Sequence, residues 1–493
     1  MTALSELLPA GGAGKVMDFV ASGTLPNGQA VVLKSNGQVE VISGVAESLP
    51  TGTETTFNSA SVLYVSVVYD PNNAGKFLIA YRDDGNSAYG TIIVGTISGS
   101  TFSFGSEYVF NSGQSNQISI SFDSNTANKF AITWLDNTGD YGTACVGVIS
   151  GTSVSFGTHA VYKSARTDYQ KISYDPNEAN KFVIVYQNQG NSSYGTAVVG
   201  TVSGTSISYG SDYVFNAGTT NHTSLSFDPN TAGKFVVIYQ DGGNSNHGTA
   251  IIGTRSGTSI SFGTEVVFNS SASIPLAVAY DPIVANKFIT CYVNETNGDK
   301  GTAIVGTVSG TSISYGSAII VNNASTDYIA MAFNPTGANF VIFYRDNVSP
   351  LHGEFIVGTY SGTTISFASA AVALTSYNAA YNAISFDPNT AGKFVMVWLD
   401  NDSSVGKCIS AQFGQTNLTS TNFVGIAAEA ISNTATGPIT LQGGISTNQS
   451  SLTVGSTYYV QANGTVSTVS TSPAVNIGKA LNATTLKLKG LSV

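Results

Sequence analysis

Polar and apolar residues alternate in short runs along most of this chain, turn-forming clusters separate the runs, and no segment carries a helical period. Residues 224–270 show the pattern in full. Ser224-Leu225-Ser226-Phe227 alternates as a strand does, and Asp228 to Lys234 supplies the Pro, Asn and Gly of a hairpin. Phe235-Val236-Val237-Ile238-Tyr239 is apolar throughout and predicts a strand buried on both faces. Asp241-Gly242-Gly243-Asn244-Ser245 is a turn, Gly248 to Thr254 a third strand, and Ser256-Gly257-Thr258-Ser259 another turn. Ile260 to Phe268 is a fourth strand, with Gly263 inside it as a bend or bulge.

This unit repeats. Its aspartate position falls at Asp70, Asp123, Asp175, Asp228, Asp281, Asn334 and Asp387, at intervals of 53, 52, 53, 53, 53 and 53 residues. Four antiparallel strands at this period predict an all-β fold, a β-propeller of four-stranded blades whose second strands pack between neighbours. A flat solenoid of stacked hairpins is the competing architecture. Six full units run from about Val65 to Asn382. A seventh, from Ile384 to near Phe413, lacks its fourth strand. The segment 52–59 (Gly-Thr-Glu-Thr-Thr-Phe-Asn-Ser) copies 263–270 (Gly-Thr-Glu-Val-Val-Phe-Asn-Ser). It predicts an N-terminal strand that completes the last blade and closes a seven-bladed ring without open edges. Eight blades, with 18–59 as a degenerate blade, is the alternative. Outside the ring, Phe19 to Ser43 reads as a meander, and the repeat ends near Thr421. Val31 to Val39 resembles Tyr459 to Val466, which points to a small β module from the two termini. The expected organisation is an arm over 1–15, a meander over 16–50, the propeller over 51–415 and a C-terminal β domain over 421–493.

Composition narrows the function. Charged residues make up only 10% and the net charge is −10, which disfavours a polyphosphate partner, so no nucleic-acid binding is expected. Apolar residues, at 42%, suffice for a core. Cys145, Cys291 and Cys408 lack paired spacing, sit in apolar stretches and read as small buried hydrophobes. The N-terminal residues have neither a basic start nor an apolar run, so no signal peptide is expected, and nothing reads as a membrane span.

Comparing the copies separates the two faces of the ring. The face bearing the first-to-second and third-to-fourth turns is nearly uniform, with Asp-Pro-Asn-x-Ala-Gly-Lys and Ser-Gly-Thr-Ser in almost every copy. Asp228 and Lys234 bracket the hairpin, so an ion pair across it is expected, worth at most about 1 kcal/mol if exposed. The sixth unit loses both partners together, at Asn334 and Pro335-Thr336-Gly337-Ala338-Asn339. The opposite face, with the second-to-third turns and the links between blades, varies and carries Arg166, Asp168, Tyr169, His222, Asp327, Tyr328, Tyr377 and Tyr381. Loops on rigid scaffolds carry function, so this face is the candidate recognition surface; neutral drift in exposed loops is the plainer account. The residue before the third strand is often aromatic, at Tyr89, Tyr141, Tyr194, His247 and His352, with Lys300 and Val405 breaking the series. Such rings either stack on sugar faces or fill gaps between blades. The candidate ligand-binding residues are Tyr89, Tyr141, Tyr194, His247, His352, Arg166, Tyr169 and Tyr328.

Catalytic and metal motifs are sparse. His159, His222, His247 and His352 show no metal-ligand spacing with one another or with cysteine, so neither a metal nor a cofactor is expected. Asp83-Asp84-Gly85-Asn86-Ser87 and Asp400-Asn401-Asp402-Ser403 look like calcium loops but lack the closing glutamate, and read as turn-forming Asx clusters. The Ser-x-Asp-x-Gly-x-Thr-Trp turn of propeller sialidases and the Gly-x-Ser-x-Gly elbow of hydrolases are both missing, so no enzyme is expected.

Tyr186 to Gly210 and its copies follow the phrase Tyr-x-Asp-x-Gly-Asn-Ser-x-Tyr-Gly-Thr-Ala-x-Val-Gly-Thr-Val-Ser-Gly-Thr-Ser-Ile-Ser-Phe-Gly. This resembles repeats in tail-fibre and other structural proteins of marine bacteriophages. The segments 422–427, 451–460 and 478–484 resemble the end module of such proteins. The resemblance implies a virion component assembled in the host cytoplasm. It implies other virion proteins as partners, a possible host surface polysaccharide, a possible homo-oligomer and no membrane insertion. A secreted bacterial propeller lectin or adhesin is the alternative, and a glycan-cleaving enzyme the second.

Overall fold

The computed structural model describes residues 15–45, 54–337, 339–349, 351–367, 371–374, 378–413, 415–419, 421–470 and 475–490. Almost all of the expected arm, residues Gly52 and Thr53 of the completing strand, and Tyr377 lie outside the described residues. The chain divides into two compact units, residues 50–411 and residues 1–49 together with 412–493.

The larger unit is a seven-bladed β-propeller. Its second strands are Lys76–Asp83, Lys129–Asp136, Lys181–Asn188, Lys234–Asp241, Lys287–Asn294, Asn339–Asp346 and Lys393–Asp400. In blade four, residues 220–227 pair with Lys234–Asp241, which pairs with His247–Ser256, which pairs in turn with Ser259–Phe262 and the start of Val266–Tyr280. Every residue from Phe235 to Tyr239 is fully buried, as an apolar strand wedged between two blades must be. The fourth strand carries the expected bulge. Gly253 opposes Phe262 and Ala250 opposes Val266, so three residues, 263–265, face two. Glycine is required there, because a Cβ on Gly263 would sit 2.4 Å from the carbonyl oxygen of Thr311 in the next blade.

First strands of consecutive blades contact one another all the way round, including 379–386 of blade seven against 62–69 of blade one. The borrowed strand closes this circle. Thr55–Asn58 pairs antiparallel with Val405–Gln412, placing Asn58 opposite Gly406, Thr56 opposite Lys407 and Thr55 opposite Cys408. Phe57 lies over Gly406, as Phe110 lies over Gly90 and Phe268 over Gly248 in other blades. All three cysteines are buried and unpaired.

The Asp-Pro-Asn hairpin differs from expectation. Its aspartates are not exposed and make no ion pair with the lysine. Asp70, Asp123, Asp175, Asp228 and Asp387 are fully buried. One carboxylate oxygen accepts from the turn's own backbone, as Asp228 Oδ1 does from the N–H of Asn230 at 2.9 Å. In several copies the other oxygen faces a neighbouring blade. The N–H of Asn180 donates to Asp123 Oδ2 at 2.8 Å, and that of Gly75 to Asp387 Oδ2 at 2.7 Å. Lysines bond elsewhere: Lys181 Nζ donates to Thr201 Oγ1 at 2.7 Å and Lys287 Nζ to Thr307 Oγ1 at 2.6 Å. In the sixth copy the Nδ2 of Asn334 donates to Asn339 Oδ1 at 2.8 Å, so the joint loss reflects an amide pair in a turn one residue shorter. The seam between blades seven and one carries the same ties. The N–H of Tyr69 donates to Ser385 Oγ at 3.1 Å and Asn389 Nδ2 donates to the carbonyl of Asp70 at 3.1 Å.

The smaller unit interleaves the two ends of the chain. One sheet runs in the order Val16–Val20, Thr436–Leu441, Phe423–Ala427, Ala30–Leu33, Val39–Val41, and a second joins strands between Ile445 and Leu488. Ala30 and Val32 share a core with Val460, Ile477 and Leu486. The two similar segments, 31–39 and 459–466, both form hairpins, 30–41 and 457–467.

Candidate functional site

A feature of the inner strands defines the varying face. Each first strand breaks register just after the link that enters it, at 63–66 in blade one, 168–171 in blade three and 221–224 in blade four, for example. The residue inside the break is left-handed in six blades: Tyr64, Gln117, Tyr169, His222, Tyr328 and Tyr381, with φ between 49° and 56°. For aromatic residues this backbone is uncommon, and its recurrence at one repeat position marks a built feature. Blade five has Pro275 there, whose ring forbids positive φ, and its register break is smaller, with Pro275 still opposite Tyr292.

These bulges gather side chains around the axis into two aromatic arcs. Tyr381 packs against Tyr328 at 5.3 Å and against Tyr64 at 5.4 Å between ring centroids, joining blades six, seven and one. Tyr169 packs on His222 at 4.6 Å, joining blades three and four. Arginines flank the larger arc: Arg345 lies 4.7 Å over the Tyr328 ring and Arg82 5.5 Å over that of Tyr64. All six bulge residues are half-buried.

A polar belt passes from blade to blade beside the rings. Arg82 Nη1 donates to Asn116 Oδ1 at 2.7 Å, Gln117 Nε2 to Asp168 Oδ1 at 2.8 Å, Gln187 Nε2 to Asn221 Oδ1 at 2.9 Å and Arg345 Nη1 to Asn378 Oδ1 at 2.8 Å. Arg166 clamps Asp168 through Nε and Nη2, both at 3.1 Å, and its exposed guanidinium also reaches Asp140 at 3.5 Å. Rings with one wet edge, set among amides and guanidinium groups on a rigid strand ring, can stack on a sugar face and bond its hydroxyls.

Of the expected ligand-binding residues, Tyr169 and Tyr328 belong to this ring and Arg166 to its rim. The other five are not brought together. Tyr89, Tyr141, Tyr194, His247 and His352 each open the third strand of a different blade, two strands out from the axis, and no ring contact joins any two of them among the described residues. Tyr64, Gln117, His222, Tyr381, Arg82 and Arg345 complete the site. The signal for them was their identical repeat spacing, but period-two alternation does not show a bulge. The acidic turns are Asx caps: Asp83 Oδ1 accepts from the N–H of Gly85 at 2.9 Å and Asp400 Oδ1 from that of Asp402 at 3.2 Å.

Burial pushes the His222 imidazole down to about 4. The unfolded chain, with a histidine near ~6.5, takes up a proton that the folded ring refuses. Stability is therefore full above pH ~6.5, falls with pH and levels off below ~4, a loss of up to roughly 3 kcal/mol. Denaturant titrations at pH 7.5 and 4.5 are expected to show this slope in the wild type and a shallower one in His222→Gln.

No known family model matches the sequence, and no curated protein does either. Solved structures match in fold. A lectin from Burkholderia pseudomallei superposes with a TM-score of 0.53 at 10% identity, over 73% of this chain and 99% of the lectin. An ulvan lyase gives 0.47 at 9% identity, over 74% and 98%. Sqt1 from Chaetomium thermophilum gives 0.46 at 11% identity, over 70% and 84%. The lectin comparison agrees with the propeller architecture.

Proposed function

We propose that this chain is a binding component of a bacteriophage virion, a tail fibre or other appendage, that engages a host surface glycan through the axial ring. The observation that carries the recognition half is the contrast between faces. One face repeats the same Asp-Pro-Asn ties between blades, whereas the other places two aromatic arcs and three arginines asymmetrically around the axis. Nothing in the blade repeat requires Tyr at three consecutive bulges and Pro at another. The virion half rests on the resemblance of the repeat and of the end module to phage structural proteins. Binding rather than turnover fits a site rich in stacking surface whose two inter-blade carboxylates are both engaged, Asp168 by Arg166, Gln117 and Gln189 and Asp327 by Arg345 and Asn347.

Host polysaccharide titrated onto the purified chain is expected to bind, and Tyr381→Ala, which removes the middle ring of the larger arc, to weaken binding by about tenfold or more. Tyr141→Ala, on a third strand, is expected to change little. Binding that ignores Tyr381→Ala, or no binding to any host polysaccharide, would refute the recognition role. Labelled antibody on intact particles, seen by electron microscopy, tests the virion placement separately.

A further inference from the structure

We propose that blade six holds a divalent first-row cation of the zinc type through Asp346, His352 and Glu354. Asp346 ends the second strand and His352 begins the third, directly opposite it; Glu354 lies two residues on, opposite Tyr344. The strand period therefore puts all four side chains on one face of a rigid ladder. One donor atom from each of Asp346, His352 and Glu354 lies within 4.8 Å of the others. His352 Nε2 is 2.9 Å from Glu354 Oε1.

The outer contacts support a ligand role. The Tyr344 hydroxyl donates to Glu354 Oε2 at 2.7 Å, and the N–H of Val348 donates to Asp346 Oδ1 at 2.8 Å. Each carboxylate is thus held through one oxygen by a group outside the cluster, as metal ligands commonly are. A purely structural use for Glu354 exists, since Glu107 and Asp212 accept from Tyr81 and Tyr186 in blades one and three. That use takes one oxygen of Glu354 while the other meets His352 Nε2, and it has no part for Asp346 beside them. The constellation is also particular to this blade. The position of Glu354 is Thr91, Thr143, Thr196, Thr249 and Thr302 in blades one to five and Lys407 in blade seven. Blade four pairs Asp241 with His247 but has only Thr249 as the third member. One imidazole with two carboxylates suits Zn2+ or Mn2+ better than the all-oxygen cations Ca2+ and Mg2+, and three protein donors leave a coordination position open.

Calorimetric titration of ZnCl2 into the chelator-treated full chain at pH 7.5 tests this. The expected result is one zinc per chain, with binding weakened at least about tenfold in Glu354→Gln, which keeps an acceptor for Tyr344, and likewise in His352→Gln. His247→Gln is expected to bind as the wild type does. Visible absorption of the Co2+ form supplies a second readout, with a ligand-field band that both site variants lose. No zinc binding tighter than about 100 µM, where a weak surface site would fall, or binding unchanged in both site variants, would overturn the proposal.

Discussion

Arg255→Ala is expected to destabilise the propeller by about 3–5 kcal/mol, the usual result of removing one partner from a buried ion pair. Arg255 stands where four other copies carry Ile97, Ile149, Val202 and Val308. Its side chain is almost fully buried and reaches from blade four to blade three, with Nη2 at 2.6 Å from both Asp175 Oδ2 and Glu178 Oε2 and Nε at 3.2 Å from Asp175 Oδ2. Asp175 has no exposure, so the truncation leaves a charge that water cannot reach. The cost should come from that stranded charge rather than from the lost side chain. The double variant Arg255→Val with Asp175→Asn is therefore expected to recover most of the loss, since other copies use an aliphatic residue at the first position and the sixth carries Asn334 at the second. Thermal unfolding of the two variants against wild type measures this. A double variant no better than the single one would place the effect in packing instead.

Phe57→Ala is expected to cost a similar amount, about 3–5 kcal/mol, as large-to-small changes of a buried aromatic do. Phe57 is 6% exposed, lies over Gly406 and packs edge-on against Tyr81 at 5.4 Å, so it bridges blades seven and one. The equivalent Phe110→Ala removes the same ring from blade one and should be milder. There the outer strand follows its third strand through a Ser-Gly-Ser-Thr turn and cannot leave, whereas Thr55–Asn58 and Val405–Gln412 lie far apart in sequence. Once the clasp loosens, its return carries a much longer loop closure. Urea midpoints for the two variants, and protease cleavage near residue 57, separate the cases.

The ring and its closure were legible because they are written in repetition: seven copies of a both-faced strand, and a stray copy of the fourth strand at the opposite end from the blade lacking one. What the sequence concealed depends on the neighbouring blade. An aspartate between turn residues looks solvated within its own hairpin, and only the next blade's backbone buries Asp123 and Asp387. The lysine then has no carboxylate to meet and turns to a threonine on the third strand. The aromatic series at Tyr89, Tyr141 and Tyr194 is regular along the chain, yet each ring belongs to its own blade. The rings that do meet sit at bulges, where one left-handed residue turns a side chain toward the axis. Alternation of polar and apolar residues carries no trace of that extra residue. His352 shows no His or Cys at metal-ligand spacing along the chain, and the carboxylates of the proposed cluster reach it in two ways, Asp346 from the paired second strand and Glu354 from two residues on along its own strand.

The same geometry gives the repeat two unlike faces. Ties on the uniform face hold the blades in register, so the inner strands form a stiff frame. The residue at the bulge, by contrast, changes from copy to copy, through Tyr64, Gln117, Tyr169, His222, Pro275, Tyr328 and Tyr381.

The most direct test of the closed ring is a cross-link across its clasp. Thr55 lies opposite Cys408 in the antiparallel pair, and paired strands hold Cα atoms at about 4.5–5.5 Å, within disulfide reach. After mild oxidation of Thr55→Cys, mass spectrometry of a proteolytic digest should find the introduced thiol joined to Cys408 within one molecule, with Cys145 and Cys291 still reduced. Two unjoined thiols, or a bond only between molecules, would mean that this strand does not complete the seventh blade.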